Sequence, residues 1–276
     1  MADLERGDPD AMEDEDGVEP ALPHARIEQA QSLERGLAVI SAFAGGSQTM
    51  SISEVARAVD MSRGTVRRFL LTLEDLGYVA QSEHGYYLLP SVLDLGYRHF
   101  AERPWWPDAQ VLAQQIAGSS GCPCAIAVLE DVSALYACYA APGPHVVFHR
   151  TIGTRLPAHA SAVGHVLLAG IDRADLAKRL QSARLDRFTE KTNVSKAALM
   201  ADLGRVRANG FAYVSEVLEP GLASLGVPVL DRGGDVVAAM SISFRPDDEW
   251  TREPQSHPAL PQMREAARSL TRLFPT

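Results

Sequence analysis

Three arginines stand close together in the first third of the chain: Arg63, Arg67 and Arg68, the first two of them one helical turn apart. Guanidinium groups at this spacing can meet phosphate oxygens and can form paired hydrogen bonds to the edge of guanine. Ser62 precedes them as a helix cap, and Thr65 adds a hydroxyl to the same turn. The alternative is a solvated helix that carries arginines for no such purpose. A second group lies at Gly153-Thr154-Arg155-Leu156-Pro157-Ala158-His159-Ala160-Ser161. A loop entering a helix near Ser161 offers backbone N–H groups and the positive end of a helix dipole, which suits an anion. Arg155 is expected to clamp a carboxylate, with His159 and Ser161 donating hydrogen bonds and Thr154 and Ala160 in the same lining. Arg155 pairing with an acid such as Glu219, and His159 capping a turn, are the structural alternatives.

The arginines need an element to aim them outward. In residues 32–44, Leu33, Leu37, Ile40 and Ala44 fall on one helical face, and Gly45-Gly46 stops that helix. Ser51 with Glu54 forms a capping box, Met50 and Val55 can staple it, and Ile52, Val55, Ala56 and Val59 give a second short helix its apolar face. After the break at Asp60-Met61-Ser62, a third helix buries Val66, Phe69, Leu70 and Leu73 and leaves the arginines on its other side. Gly77 ends it. Residues 78–81 and 86–89 read as strands about a turn at Ser82-Glu83-His84-Gly85, which places His84 at the tip of a wing. This order of elements is the layout of a winged helix-turn-helix whose third helix enters the major groove.

Gln31-Ser32-Leu33-Glu34-Arg35-Gly36-Leu37, Ser53-Glu54-Val55-Ala56-Arg57-Ala58 and Thr65-Val66-Arg67-Arg68-Phe69-Leu70-Leu71-Thr72-Leu73 closely resemble the isocitrate lyase regulator (IclR) family, and within it the branch controlling breakdown of aromatic acids. The resemblance covers nearly everything after residue 26. It implies a linker helix over residues 91–104 with a part in dimer contacts, and a GAF-like effector-binding domain over 105–276. Its most specific C-terminal stretches are residues 153–161, leading into Gly164-His165-Val166-Leu167-Leu168-Ala169, and Glu219-Pro220-Gly221-Leu222. The effector that the branch implies is an aromatic carboxylate such as a hydroxybenzoate.

The residues themselves give an α+β domain beyond the linker. A helix is expected at 109–117, strands at 122–129, 134–139 and 146–150, and helices at 161–168, 173–182 and 196–209. Strands follow at 211–217, 223–230 and 236–244, then a helix at 260–274. Apolar strand residues would wall the ligand: Ile126, Val128, Tyr136, Cys138 and Phe148, with Leu222 and the alternating Ser241 and Ser243 at the far side. Tyr136 and Phe148 could equally be core, and the two serines ordinary strand residues. The domains are therefore set at 1–26, an acidic tail expected to be disordered; 27–90, the DNA-binding domain; 91–104, the linker; and 105–276, the sensing domain.

Composition limits the other readings. The chain of 276 residues carries a net charge of -9, but nine acids against Arg6 alone leave residues 1–20 at -8 and the remainder at about -1. That tail either mimics nucleic acid or solubilises the chain. Apolar runs such as 125–129 are far too short to cross a bilayer, and an acidic N-terminus is not a secretory signal, so a cytoplasmic protein is expected. Cys122, Cys124 and Cys138 suit neither a disulfide framework nor a closed zinc site and read as buried hydrophobes. Neither cofactor nor metal is expected. A nucleophilic enzyme built on His159, Ser161 or a cysteine finds no Gly-x-Ser-x-Gly elbow or phosphate loop to support it. A pure protein-interaction module is the third reading. The favoured one is a ligand-responsive repressor or activator that binds duplex DNA as a homodimer, with pairing of dimers into tetramers left open.

Overall fold

A computed structural model of the protein describes residues 30–45, 49–97, 101–143, 150–247 and 252–274. The chain divides into two compact units, Met1–Leu95 and Gly96–Thr276. The acidic tail expected at 1–26, and all of the strand expected at 146–150 except Arg150, lie outside the described residues.

In the first unit, helices α1 (Gln31–Ala42), α2 (Ile52–Ala58) and α3 (Arg63–Asp75) precede strands β1 (Val79–Ser82) and β2 (Gly85–Leu88). The capping box forms: Ser51 Oγ accepts from the Glu54 amide at 3.3 Å, and Glu54 Oε2 accepts from the Ser51 amide at 2.8 Å. Asp60 takes a left-handed φ of 50°, which reverses the chain between α2 and α3. Val39, Val55, Val66, Leu70, Leu73, Val79 and Tyr86 close one core. The buried face of α1 differs from the one its leucines suggest. Leu33 and Leu37 are 64% and 51% exposed, whereas Val39 is fully buried. The inward stripe runs through Gly36, Val39, Ile40 and Phe43, and a methyl added at Gly36 would stand 3.8 Å from the Phe69 ring of α3, an ordinary contact.

The wing is a two-residue hairpin in which Ser82 pairs with Gly85 and Val79 with Leu88. Met50 exchanges two backbone hydrogen bonds with Tyr86, at 2.8 and 2.9 Å, and so adds a third edge to the hairpin. In the span where the resemblance implies a linker helix, Pro90–Leu95 is a 3-10 helix and Tyr97 and Ala101 are helical, on either side of residues 98–100, which lie outside the described ones. Pro90 opens this segment, and the Ser91 hydroxyl donates to the Gly77 carbonyl, which ties the tighter turn back onto the end of α3.

The second unit is built on an antiparallel six-stranded sheet in the order β5-β4-β3-β8-β7-β6. Its strands are β3 (Cys124–Glu130), β4 (Ser133–Ala140), β5 (Arg155–Pro157), β6 (Ala212–Ser215), β7 (Ala223–Leu230) and β8 (Val236–Phe244). Helices α4 (Trp106–Ser120) and α8 (Leu260–Thr271) bury Ala109, Ile116, Met263 and Leu270 on one face of the sheet, against Ile126, Cys138, Leu225, Met240 and Ile242. Helix α5 (Ala162–Gly170) lies on the other face with Ala125, Tyr136, Leu156, Val214 and Ala239. Helices α6 (Arg173–Ser182) and α7 (Lys196–Asn209) pack on α5 in turn through Leu176, Leu180, Leu199 and Leu203.

Most expected elements of this unit appear, with their ends moved by a few residues. Strand β5 stands where the sequence predicts a loop, and it pairs with β4. Among the described residues no helix is long and apolar enough to cross a membrane.

Candidate functional sites

The start of α3 presents its basic side chains outward. Ser62 Oγ accepts from the Thr65 amide at 3.2 Å and lies 2.9 Å from the Thr65 hydroxyl, so the helix begins with its first turn satisfied. Arg63, Arg67 and Arg68 are all exposed, and none forms an ion pair among the described residues. Val66 and Leu70 anchor the opposite side in the core. His84 is exposed in the wing turn, where its amide donates to Ser82 Oγ at 3.2 Å. The hydroxyls of Ser62 and Thr65 serve the cap, so the arginines are the free donors of this face.

In the second unit a cavity opens between the sheet and the first turn of α5. Its enclosed room is small, about 30 Å³, and the atom-free space reaches about 580 Å³ only when the open mouth is counted, so a ring-sized guest must part its walls. Two glycines bring α5 there. An added Cβ would stand 2.2 Å from the Ala158 Cα at Gly164, which requires bare backbone there, and 3.0 Å from the Ala162 carbonyl oxygen at Gly226, a tight contact. Ser161 caps the helix: its Oγ accepts from the Gly164 amide at 3.3 Å and donates to the Pro157 carbonyl at 3.1 Å. Ala162 and Val163, whose N–H groups begin the helix, line the cavity with Ala160 and Ser161. Ala125, Leu156, Val214 and Leu222 supply apolar wall, and Tyr136, Ser224, Ser241 and Ser243 supply hydroxyls. Burial pushes the Tyr136 phenol up to about 12, although Arg150 and a hydrogen bond with Ser241 act against that rise. Tyr136 is therefore a neutral donor and acceptor at any physiological pH.

Arg150 is the one cation among the described lining residues. Its backbone amide hydrogen-bonds the Tyr139 hydroxyl, and its guanidinium pairs with the Glu219 carboxylate. It was not among the expected site residues. Its position as the last residue of the expected strand at 146–150, just before the turn at 151–154, was the only signal.

The structure brings together Ala160, Ser161, Leu222, Tyr136, Ser241 and Ser243 and leaves the other described residues of the expected set outside the cavity. Arg155 lies 60% exposed and pairs with Glu130, its Nε 2.7 Å from Oε2. As the first residue of β5 it projects from the sheet's edge strand. His159 is buried, but its Nε2 donates to the Asp186 carbonyl at 2.9 Å and its ring packs against Phe188. Thr154 Oγ1 accepts from the Thr151 amide at 3.1 Å within its own turn. Ile126 belongs to the core on the opposite face of the sheet, because strand side chains alternate and its neighbour Ala125 faces the cavity. Val128 and Cys138 also pack on that opposite core. Phe148 lies outside the described residues.

A separate cleft of about 360 Å³ takes His159, His165, Asp202 and Arg205. It is more open than the cavity beside α5, and the charged side chains of Lys191, Asp202 and Arg205 stand in its lining. Two of the three cysteines are unreactive in character: Cys124 and Cys138 are fully buried, and burial pushes the Cys138 thiol up to about 12 and Cys124 higher still.

Two family models match the chain. One, the IclR helix-turn-helix domain, matches residues 32–83, and the other, the C-terminal region of bacterial transcriptional regulator IclR, matches residues 106–272. The Pca regulon regulatory protein of Pseudomonas putida is 35% identical over 213 residues, covering 77% of this chain and 73% of that protein. The crystal structure of a transcriptional regulator from Rhodococcus is 35% identical with a TM-score of 0.73, covering 88% of this chain and 97% of the other. An IclR homologue from Microbacterium hydrocarbonoxydans, solved with 4-hydroxybenzoate, shares the fold with a TM-score of 0.74 at 21% identity, covering 87% of this chain and 97% of that one.

Proposed function

The chain belongs to the IclR family of bacterial transcriptional regulators, and from that premise we propose that its second unit senses a small aromatic carboxylate and its first unit reads an operator through Arg63, Arg67 and Arg68. The family members it matches are DNA-binding regulators with a small-molecule effector domain, not enzymes. What carries the effector class is the cavity beside α5: a single guanidinium, Arg150, the positive end of a helix, apolar walls and hydroxyls deeper in. A carboxylate meets Arg150 and the start of α5, an aromatic ring lies against Leu156, Val163 and Leu222, and Tyr136 with Ser241 receives a ring hydroxyl. The 4-hydroxybenzoate held by a homologue of the same fold agrees with this reading.

On the DNA side, Arg67 and Arg68 supply phosphate or guanine contacts, Arg63 supports them at the helix start, Ser62 and Thr65 hold that start in shape, and His84 reaches the backbone from the wing. One such module covers a half-site, so the operator is read by a homodimer. Effector binding alters transcription through a difference in affinity between two states of that dimer.

Two measurements test the two halves. With promoter DNA, Arg67→Ala and Arg68→Ala each weaken binding and lower the slope of log affinity against log salt by about 0.9 if the lost contact is to phosphate. Unchanged affinity in both variants removes α3 from the DNA. A thermal-shift panel of benzoate, hydroxybenzoates and short aliphatic acids tests the pocket. Stabilisation by aliphatic acids alone replaces the aromatic class.

A further inference from the structure

Arg150, the cavity's one cation among the described lining residues, is already occupied by a side chain of this protein: the Glu219 carboxylate. We infer that Glu219 is an internal competitor for the effector's carboxylate, holding Arg150 in the empty pocket and leaving it when the effector binds, so that it sets the affinity for anionic ligands. This rests on the reading of the cavity as a carboxylate site given above.

Four observations support it. Arg150 and Glu219 are 24% and 41% exposed, so the pair sits at the boundary between the cavity and solvent and not deep in the core. A guanidinium donates hydrogen bonds to carboxylate oxygens, and Arg150 already gives Nη2 to Oε1 of Glu219, so a ligand carboxylate and Glu219 compete for the same donors. Glu219 belongs to the segment that carries Leu218 and Leu222 into the cavity wall, and its carbonyl accepts from the Leu222 amide at 3.3 Å. That segment is held independently of the Arg150 pair. The Thr189 hydroxyl donates to the Glu216 carbonyl and the Thr192 hydroxyl to the Val217 carbonyl, both at 2.7 Å. Lys191 pairs with Glu216, and the Gly221 amide donates to Glu216 at 3.0 Å. The Glu219 side chain is therefore free to leave Arg150 without unfolding the backbone that bears it.

An ion pair of this exposure is formed for most of the time but not all of it, and a ligand that needs its cation loses affinity in proportion. Removing the competitor should raise carboxylate affinity about three- to sixfold. The test is calorimetric titration of the full chain and its Glu219→Gln and Glu219→Ala variants with 4-hydroxybenzoate and with its neutral counterpart, 4-hydroxybenzamide. The expected result is tighter binding of the carboxylate in both variants with no gain for the amide. A structural role for Glu219 would lower both affinities or neither.

If the wild-type protein binds 4-hydroxybenzoate and neither variant binds it more tightly, the competitor is disproved while the effector reading stands. An equal gain for acid and amide also disproves it, since the effect would then be on access and not on charge. If neither wild type nor variants bind the acid at millimolar concentration, both this inference and the aromatic-carboxylate reading fall.

Discussion

Gly164 tests whether the cavity is built the way the backbone indicates. Replaced by alanine, its new methyl would stand 2.2 Å from the Cα, 2.3 Å from the carbonyl oxygen and 2.6 Å from the carbonyl carbon of Ala158. All three are backbone atoms, so no rotamer change relieves the contact, and either α5 or the turn at Ala158–Ala160 must move by about 1 Å to restore ordinary van der Waals distance. Overpacking of this kind costs about 1–3 kcal/mol, and a contact wholly against backbone belongs at the upper end. Alanine's better helix propensity returns about 1 kcal/mol, leaving a net loss near ~2 kcal/mol. In a unit of this size that lowers the melting temperature by about 4–8 °C. Gly204, in α7 with nothing within 4 Å of a built Cβ, is the matched control. There the same substitution gains propensity without a clash, about 0.5–1 kcal/mol, and should raise the melting temperature slightly. Calorimetric melts of the full chain carrying Gly164→Ala and Gly204→Ala give the comparison. A Gly164→Ala protein that melts at or above the wild type would refute the close seating of α5 on Ala158, and with it the shape assigned to the cavity rim.

Two further outcomes follow from burial. Of the three cysteines, only half-buried Cys122 should react with a thiol reagent in the folded protein, and all three should react in denaturant; rapid native labelling of Cys124 or Cys138 would contradict their enclosure on the sheet. His165 donates from Nε2 to the His159 carbonyl at 2.9 Å, and burial holds its pKa below the ordinary histidine value. Since the unfolded chain then takes up the proton first, stability is intact above the unfolded pKa of about 6.5 and is lost as pH falls below it, by up to about 1.4 kcal/mol per pH unit. Urea midpoints at pH 7.5 and 5.5 should therefore fall more in wild type than in His165→Gln. A residual fall in the variant is expected from His257, whose pKa burial also lowers. An equal fall in the two proteins would count against His165 as a buried neutral group.

The first unit was the more legible because its signals are local. A cap at Ser51, a cap at Ser62 and a two-residue turn at Glu83-His84 each fix an element within four residues of themselves, and the arginines of α3 need only be on the side away from Val66 and Leu70 to be exposed. The exception is α1, where counting leucines selected the wrong face. What decides that face is the core it meets, built from residues distant in sequence such as Val55, Val66 and Leu70. Hydrophobic periodicity registers residues that favour burial; it does not register which face a distant partner covers.

The same limitation governs the cavity. Expected and observed linings agree at the start of α5 and on β8, where one helix cap and one alternating strand determine them, and diverge where position depends on sheet register. On β4, Cys138 stands opposite Ile126 and Tyr136 opposite Ala127, leaving Ala137 as an extra residue in a bulge. That bulge turns both Ala137 and Cys138 to the far core and Tyr136 and Tyr139 to the cavity, which strict alternation along β4 would not do. Arg155 illustrates the consequence for charge. It is carried by β5, the sheet's edge strand, whose pairing with β4 sets Arg155 opposite Leu135, and its guanidinium reaches Glu130 instead of the cavity. Arg150, on the other side of the turn at 151–154, takes the inward place. The two arginines are five positions apart and chemically identical, so only the strand pairing between them decides which one a carboxylate can reach.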